Sequence, residues 1–334
     1  MGKAKKLKAF ITASFSGEGM KILEDVADIS HDSWLDCEKL RIYGPDELAE
    51  RVKKERADIL ICEADFCMGA VLDLPLKIIG STRGDPSNVD VKLATEKGIP
   101  VLHAPGRNAD AVAELTVGLM FAALRHIIPA DQDLRRCNVF KDGTIPFQRY
   151  RGREVKGKTI GIVGLGAIGR AVNWRMEGLG MKVISYDPYN KEATHTGLDA
   201  LLAESDVVTM HAPPVPDTLG LMGEEQFAHM KKGAVYINAA RAVLHDLDAL
   251  TKALQSGQLS AVALDHFDGE QLPEDHPLLT MQNAVLTPHI GGATYDTEIN
   301  HSKTIAEDIV RLLHKKRPRF IANPEVLDDS YSTQ

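Results

Sequence analysis

Four groups able to bind an anion or move a proton follow short apolar runs in the second half of the chain. They are His211, Arg241, Asp265 with Glu270 close behind it, and His289. The runs before them, residues 206–211, 234–238, 260–264 and 284–287, read as strands. In an open α/β sheet the carboxyl ends of parallel strands line one crevice, so groups far apart in sequence become neighbours there. An arginine offers a planar fork for a carboxylate. A histidine passes a proton to or from a hydroxyl. A carboxylate beside that histidine fixes the ring and favours its charged form. Together these suit the oxidation of a hydroxy acid, provided something nearby accepts a hydride.

The acceptor is written upstream. The apolar run Thr159-Ile160-Gly161-Ile162-Val163 enters a turn with glycines at Gly164, Gly166 and Gly169, and the turn opens into a helix-compatible stretch to Glu177. A second apolar run, Met181 to Tyr186, stops at Asp187, 18 residues beyond Gly169. Strand, glycine turn, helix and a strand ending in an acid make a dinucleotide-binding fingerprint. Gly164 allows the sharp turn, Gly166 lets the backbone approach a pyrophosphate, and Gly169 lets the helix pack on the strand. Gly166, Ala167 and Ile168 open the helix, where free N–H groups and the helix dipole favour an anion. Asp187 accepts from both ribose hydroxyls and repels a 2′-phosphate, which favours NAD over NADP.

Of 334 residues, 44% are hydrophobic and 26% charged, and the formal charge is −8. That length allows about two domains. The negative balance argues against a nucleic acid or an anionic membrane as main partner. The Lys-rich start (Lys3, Lys5, Lys6, Lys8) is followed by too short an apolar run for a secretory signal, and Gly2 lacks a myristoylation context. The cysteines Cys37, Cys62, Cys67 and Cys137 show no C-x-x-C spacing and read as reduced thiols of a cytoplasmic protein. No histidines pair at metal-binding spacing, so no metal is expected.

The elements that must position these residues form two series of alternating strands and helices, which predicts α/β architecture with parallel sheets covered on both faces. The first series has strands at residues 7–12, 58–62, 76–80 and 99–103, with helices at 17–27, 45–56 and 88–97. The loop from Ser81 to Ser87 ends its third strand. Residues 108–136 read as one long helix, apolar on most faces, with Asn108 as N-cap; such a helix suggests cover from a second subunit. Residues 137–157 read as a loop, and a last amphipathic helix spans 295–316.

With these motifs in place, the chain resembles the NAD-dependent D-isomer-specific 2-hydroxyacid dehydrogenases, the family of phosphoglycerate, glycerate/hydroxypyruvate and D-lactate dehydrogenases. The matching stretches are Asn108 to Glu114, Gly164 to Gly169, Ile237 to Arg241, Leu264 to Phe267 with Glu270, and Thr287 to Thr294. The resemblance implies Arg241 as the substrate-binding arginine, His289 as general acid/base, and Glu270 as the acid paired to it. It implies Asp265 near the nicotinamide amide, with Pro213, Thr218 and Ala239 lining the cofactor site; Gly291 joins that set, and His211 borders the adenosine pocket. It further implies a discontinuous, flavodoxin-like catalytic domain, 1–107 with 295–334, around an inserted Rossmann NAD-binding domain, 108–294. The active site then lies in the cleft, and the enzyme is a homodimer.

Some positions depart from the family pattern. Ala242 stands where glycine is common after the motif arginine. The loop Thr82-Arg83-Gly84-Asp85-Pro86 differs from the usual glycine-rich form; Arg83 and Gly84 are expected to meet substrate, with Arg83 offering a cation to a second anionic group. Against a phosphorylated substrate, Glu63 and Asp65 put acids where phosphoglycerate enzymes offer a base, which leaves polyhydroxylated sugar acids open as substrates. His103 and His266 read as structural hydrogen-bonders, and Cys62 and Cys67 as packing residues. The alternative is an NAD(H)-sensing binding protein like the C-terminal-binding-protein corepressors. A formate-dehydrogenase-like activity is disfavoured by Glu270, where those enzymes carry Gln.

Overall fold

The computed structural model describes residues 6–332. Gly2, Lys3 and Lys5, weighed above as targeting signals, lie outside the described residues. The chain divides into two compact units. One runs through Arg107 and resumes at Thr294; the other is Asn108–Ala293.

The first unit opens with β1 (Leu7–Ile11), α1 (Gly17–Val26), β2 (Ala27–His31), α2 (Pro45–Glu55), β3 (Ile59–Cys62), β4 (Ile78–Ser81), α3 (Val91–Glu96) and β5 (Val101–Leu102). Its sheet has the order β2-β1-β3-β4-β5, every pair parallel. This is the flavodoxin-like order, with its switch point between β1 and β3. The strand β2 is absent from the sequence reading. Ala27-Asp28-Ile29-Ser30-His31 is polar at alternate positions and lies at the sheet edge, so it lacks the continuous apolar run of a strand covered on both faces.

The second unit begins with α4 (Ala109–Leu124), α5 (Ile127–Arg135) and the short α6 (Pro146–Arg149). The single long helix expected over 108–136 is therefore two, bent by 66°. Pro129 has no N–H for the Arg125 carbonyl and its ring clashes there. The chain answers with His126 in a left-handed conformation, φ 53°. Asn108 is at the N-cap but makes no side-chain capping bond. The apolar faces of α4 are covered by its own unit: Val112, Ala113, Leu119, Met120 and Ala123 pack with Ile160, Ile162, Val172 and Ile237. Leu115, Val117 and Phe121 of the same helix are only partly buried there. No single helix among the described residues is long and apolar enough to cross a membrane.

Then follow β6 (Thr159–Val163), α7 (Ala167–Gly178), β7 (Lys182–Tyr186), α8 (Leu198–Glu204), β8 (Val207–Met210), α9 (Glu224–His229), β9 (Ala234–Asn238), α10 (Leu247–Gln255), β10 (Leu259–Leu264) and β11 (Ala284–Leu286). The sheet order is β7-β6-β8-β9-β10-β11, all parallel, with the direction of winding reversing between β6 and β8. One face is closed by α4 and α7. The other buries Leu201, Phe227, Tyr236, Leu250 and Leu254 against the sheet.

The chain then returns to the first unit as α11 (Tyr295–Leu313), whose Ile305, Ala306 and Ile309 pack on Ala9, Ile11, Ile59 and Ile61. The backbone N–H of Ser16 donates to Ser302 Oγ at 3.1 Å, and His301 Nε2 lies 2.8 Å from the Ser14 carbonyl. The first unit is thus completed by residues almost three hundred positions from its first strand.

Candidate active site

The glycine turn has the shape that its spacing predicts. Gly164 sits at φ +94°, and a Cβ there would lie 2.5 Å from the Ala212 nitrogen. A Cβ on Gly169 would lie 2.1 Å from the Gly164 carbonyl oxygen. Only hydrogen fits at either position. A Cβ on Gly166 would meet nothing within 4 Å. Gly166 and Ala167 are exposed, and the start of α7 has no side-chain cap, so its first N–H groups are open to an anion. At the end of β7, Asp187 accepts from the Leu165 N–H at 2.8 Å and the Tyr189 N–H at 3.0 Å, which ties the acid to the glycine turn. Thr218 Oγ1 closes the loop after β8, donating to the Pro213 carbonyl at 2.5 Å and accepting from the Val215 N–H at 2.9 Å. Ala239 is buried at the end of β9.

His211 is buried, with Nε2 2.9 Å from Thr209 Oγ1 and Nδ1 without a partner. Burial pushes its pKa down to about 3. Open N–H groups, a cradle only glycine can line, an acid one strand away and an orphaned buried nitrogen fit a dinucleotide.

The strand after the next turn delivers Arg241. Asn238, buried at the end of β9, donates from Nδ2 to the Arg241 carbonyl at 2.8 Å and accepts the Ala240 N–H on Oδ1 at 2.9 Å. Its Nδ2 also lies 2.9 Å from His245 Nδ1. Burial lowers the His245 pKa to about 4, which keeps that ring neutral. The Arg241 side chain is exposed, and Nη1 donates to the Ala240 carbonyl at 2.7 Å.

Glu270 and His289 are brought together. His289 Nδ1 is 2.9 Å from Glu270 Oε1 and 3.1 Å from Oε2, so both oxygens face one nitrogen. Both residues adopt left-handed backbone, φ 63° at Glu270 and φ 54° at His289. Such conformations cost about 1–3 kcal/mol each for a residue with a side chain. Asp265 holds the second of them. Its Oδ1 accepts from Thr287 Oγ1 at 2.6 Å and the Ile290 N–H at 2.9 Å, and its Oδ2 accepts from the Gly291 N–H at 2.7 Å. This buried carboxylate, expected near the nicotinamide amide, braces the turn that carries His289, and Gly291 is part of that brace.

His266 joins them. Its ring centroid is 4.3 Å from that of His289, and its Nε2 is 3.7 Å from Glu270 Oε1. Burial lowers its pKa, as do the charges of His289 and Arg241, while Glu270 and Asp265 oppose. The Arg241 charge is therefore felt in the same cluster. Each of His266, Glu270 and His289 offers a ligand atom within 4.8 Å of the others, a donor set that motif spacing did not reveal. The chemistry of His266 argues against a metal there: an ion at Nε2 would fix the proton on Nδ1, which is buried with no acceptor.

In the first unit, the loop after β4 is pinned by Ser81 Oγ on Asn88 Oδ1 (2.8 Å), by His103 Nδ1 near the Gly84 carbonyl (2.8 Å), and by the Ala104 N–H on the Arg83 carbonyl (2.8 Å). Arg83 makes no side-chain ion pair among the described residues. Glu63 pairs with Arg107 at 2.6 Å, and Arg107 Nη1 lies 2.7 Å from His301 Nδ1. Of the two acids that argued against a phosphate, Glu63 thus has its charge matched, while Asp65 is buried and accepts the Tyr43 N–H on Oδ1 at 2.7 Å. Cys62 and Cys67 are fully buried, and the Cys62 thiol is raised well above its usual value by Cys67 and by burial.

Comparison with known proteins decides the family. Residues 117–291 match the model of the D-isomer specific 2-hydroxyacid dehydrogenase NAD binding domain. The chain belongs to the D-isomer specific 2-hydroxyacid dehydrogenase family. Its cofactor is NAD, and the family's enzymes are oxidoreductases that interconvert 2-hydroxy and 2-oxo acids. It is 37% identical to the D-3-phosphoglycerate dehydrogenase of Methanocaldococcus jannaschii, over 95% of this chain but 59% of that protein. It is 35% identical to the glyoxylate reductase of Thermofilum pendens, over 96% of this chain and 95% of that protein. Among solved structures, the NAD+-bound 3-phosphoglycerate dehydrogenase of Entamoeba histolytica is similar with a TM-score of 0.72 and 25% identity, covering 96% of this chain and 99% of that one. Nothing in these relatives favours the corepressor alternative.

Sequence reasoning missed Asn238 as the brace of Arg241, His266 as a neighbour of His289, and the pairing of Glu63 with Arg107. Asn238 was visible as a polar residue closing a buried strand; nothing in the sequence marks the other two contacts.

Two of the buried imidazoles, His211 and His245, carry a pH prediction. Unfolded, His211 and His245 take up a proton below about pH 6.5; folded, they resist until about 3 and about 4. As pH falls from 6.5 the unfolded chain binds more protons than the native one. The stability they contribute at neutral pH is therefore lost toward acid, by up to about 2 kcal/mol per ring at pH 5. Thermal melting from pH 7 to 5 should show this slope, and it should be shallower in His211→Phe. An equal slope in that variant would place the acid sensitivity elsewhere.

Proposed function

We propose that the chain interconverts a D-2-hydroxy acid and its 2-oxo acid with NAD, using Arg241, Glu270 and His289. The observation that carries this reading is the 2.9 Å contact between His289 Nδ1 and Glu270 Oε1. An acid on Nδ1 fixes that nitrogen as the donor and leaves Nε2 to exchange a proton. In the oxidative direction Nε2 takes the hydroxyl proton; in the reductive direction it returns a proton to the carbonyl oxygen. Arg241, braced through Asn238, holds the substrate carboxylate in its fork. NAD, when bound, supplies the hydride acceptor at nicotinamide C4. The N–H groups of Ala167 and Ile168 would hold its pyrophosphate, Asp187 its ribose, and His211, Pro213, Thr218, Ala239, Asp265 and Gly291 its surroundings.

The substrate reading rests on Arg83. A guanidinium without an ion pair at the carboxyl end of β4, next to Gly84, suits a second anionic group on the substrate. In this reading residues 1–107 with 295–334 form the catalytic domain and 108–294 the cofactor domain. The protein works in the cytoplasm, as its buried unpaired cysteines favour. It is a homodimer: Leu115, Val117 and Phe121 of α4 are only partly buried, and Leu134 of α5, Phe147 of α6 and Phe140 and Ile145 between them are exposed. Sedimentation at micromolar protein should give twice the chain mass; a monomer would remove the dimer.

Purified protein should oxidise NADH with a small 2-oxo acid, and phosphohydroxypyruvate should outperform glyoxylate if Arg83 meets a second anion. His289→Ala should lower kcat by at least about a hundredfold, while NADH fluorescence still reports binding. Turnover close to wild type in that variant would end the assignment. Asp187→Ala should narrow the preference for NADH over NADPH, and unchanged selectivity would free Asp187 from the ribose.

A further inference from the structure

The neighbourhood of Glu270 contains one titratable group that the proposed chemistry does not use. His266 follows β10 directly, packs its ring against His289, and turns Nε2 toward Oε1 of Glu270, the same oxygen that His289 Nδ1 meets. Its other nitrogen, Nδ1, is buried and has no hydrogen-bond partner.

Those two facts fix its tautomer. A neutral imidazole has one N–H and one lone pair. A carboxylate only accepts, so a lone pair facing Glu270 would be repelled, whereas an N–H there is attracted. At the buried end the order is the same: an N–H without an acceptor is costly, and an unpaired acceptor less so. Both ends call for the proton on Nε2. A second proton would have to sit on Nδ1, with nothing to receive it and with the His289 ring alongside. The charged and titratable groups around His266 are Glu270 and Asp265 on its own segment, His289 beyond β11 and Arg241 beyond β9.

We propose that His266 is a positioning residue: held as the neutral Nε2–H tautomer, it attracts Oε1 of Glu270 and packs on His289, so that the acid–imidazole pair keeps one geometry through turnover. This rests on the reading of His289 as the acid/base. At 3.7 Å the contact is a charge–dipole attraction and not a formed hydrogen bond. Among the described residues, it acts on a carboxylate that would otherwise have only the exposed His289 to hold it, on a turn whose backbone is left-handed at Glu270. His266 does not exchange a proton with substrate. Its effect is to divide the charge of Oε1 between two N–H groups.

Removing the second N–H leaves that oxygen to His289 alone and frees the carboxylate to rotate. In His266→Val, kcat for 2-oxo acid reduction should fall severalfold with KM for NADH unchanged. The alkaline limb of the kcat/KM profile should move to higher pH, because the undivided carboxylate keeps His289 charged longer. His266→Gln, which restores an N–H donor but cannot titrate, should return both toward wild type. A purely structural histidine would give a loss of stability with an unmoved pH profile, and that result would overturn the proposal. Nitrogen-detected NMR of wild-type protein supplies a check that needs no variant: His266 should be protonated at Nε2 from pH 6 to 8, and an Nδ1–H form would overturn the proposal equally. His289→Ala separates the two levels. Retained turnover in His289→Ala defeats the acid/base reading, whereas loss there with an unchanged His266→Val profile defeats only the role given to His266.

Discussion

The carboxylate of Asp265 is the contact on which the rest of the site depends. One buried side chain at the end of β10 receives three donors from the segment that follows β11. Without it, the turn Thr287–Gly291 would have to satisfy two backbone N–H groups in the interior by some other route, and the direction of His289 would be lost. The geometry works because β10 and β11 are parallel neighbours, so their carboxyl ends lie side by side. The sheet sets the spacing, the carboxylate sets the turn, and the turn sets the imidazole.

Strained backbone occurs at the same place. Glu270 and His289, the two residues joined by the acid–imidazole contact, both have positive φ. Left-handed backbone at two residues with side chains persists only when surrounding contacts over-determine it. Asp265 supplies that constraint for His289. For Glu270 the visible constraints are the Phe267 carbonyl, which accepts the Glu270 N–H at 3.1 Å, and the two imidazoles facing its side chain.

Much of this could be read from the chain. The glycine turn, the helix it opens and the acid ending the next strand are patterns of one short segment, and their spacing can be read without knowing what packs against them. The ends of β8, β9, β10 and β11 were legible because buried parallel strands are apolar runs, and a polar residue just beyond such a run stands out. What sequence could not supply was partner identity. Asp265 follows a strand as an active-site acid would; only the fold shows its oxygens taken by backbone N–H groups. His266 looked like a structural hydrogen-bonder, yet Nδ1 bonds to nothing and Nε2 faces the acid. Glu63 looked like a free negative charge until Arg107 was found against it. The break at His126 was missed because the apolar pattern continues through it and masks the missing N–H of Pro129. β2 was missed for the opposite reason, an edge strand too polar to look buried.

The return of α11 to the first unit bears on how the protein is made. The sheet β2-β1-β3-β4-β5 leaves the ribosome early, but the side chains that cover Ile11 and Ile61 come from Ile305, Ala306 and Ile309. Val101 donates its N–H to Asn323 across 222 positions. Leu23 of α1 covers part of the same face, but the rest waits for α11 while the whole of Asn108–Ala293 is translated and can already be folding. Closing so long a loop costs little more entropy than closing a short one; the hazard is time. Until α11 emerges, nascent chains of this architecture show that surface to chaperones and to one another, a liability set by the order of the segments and not by the strength of any bond.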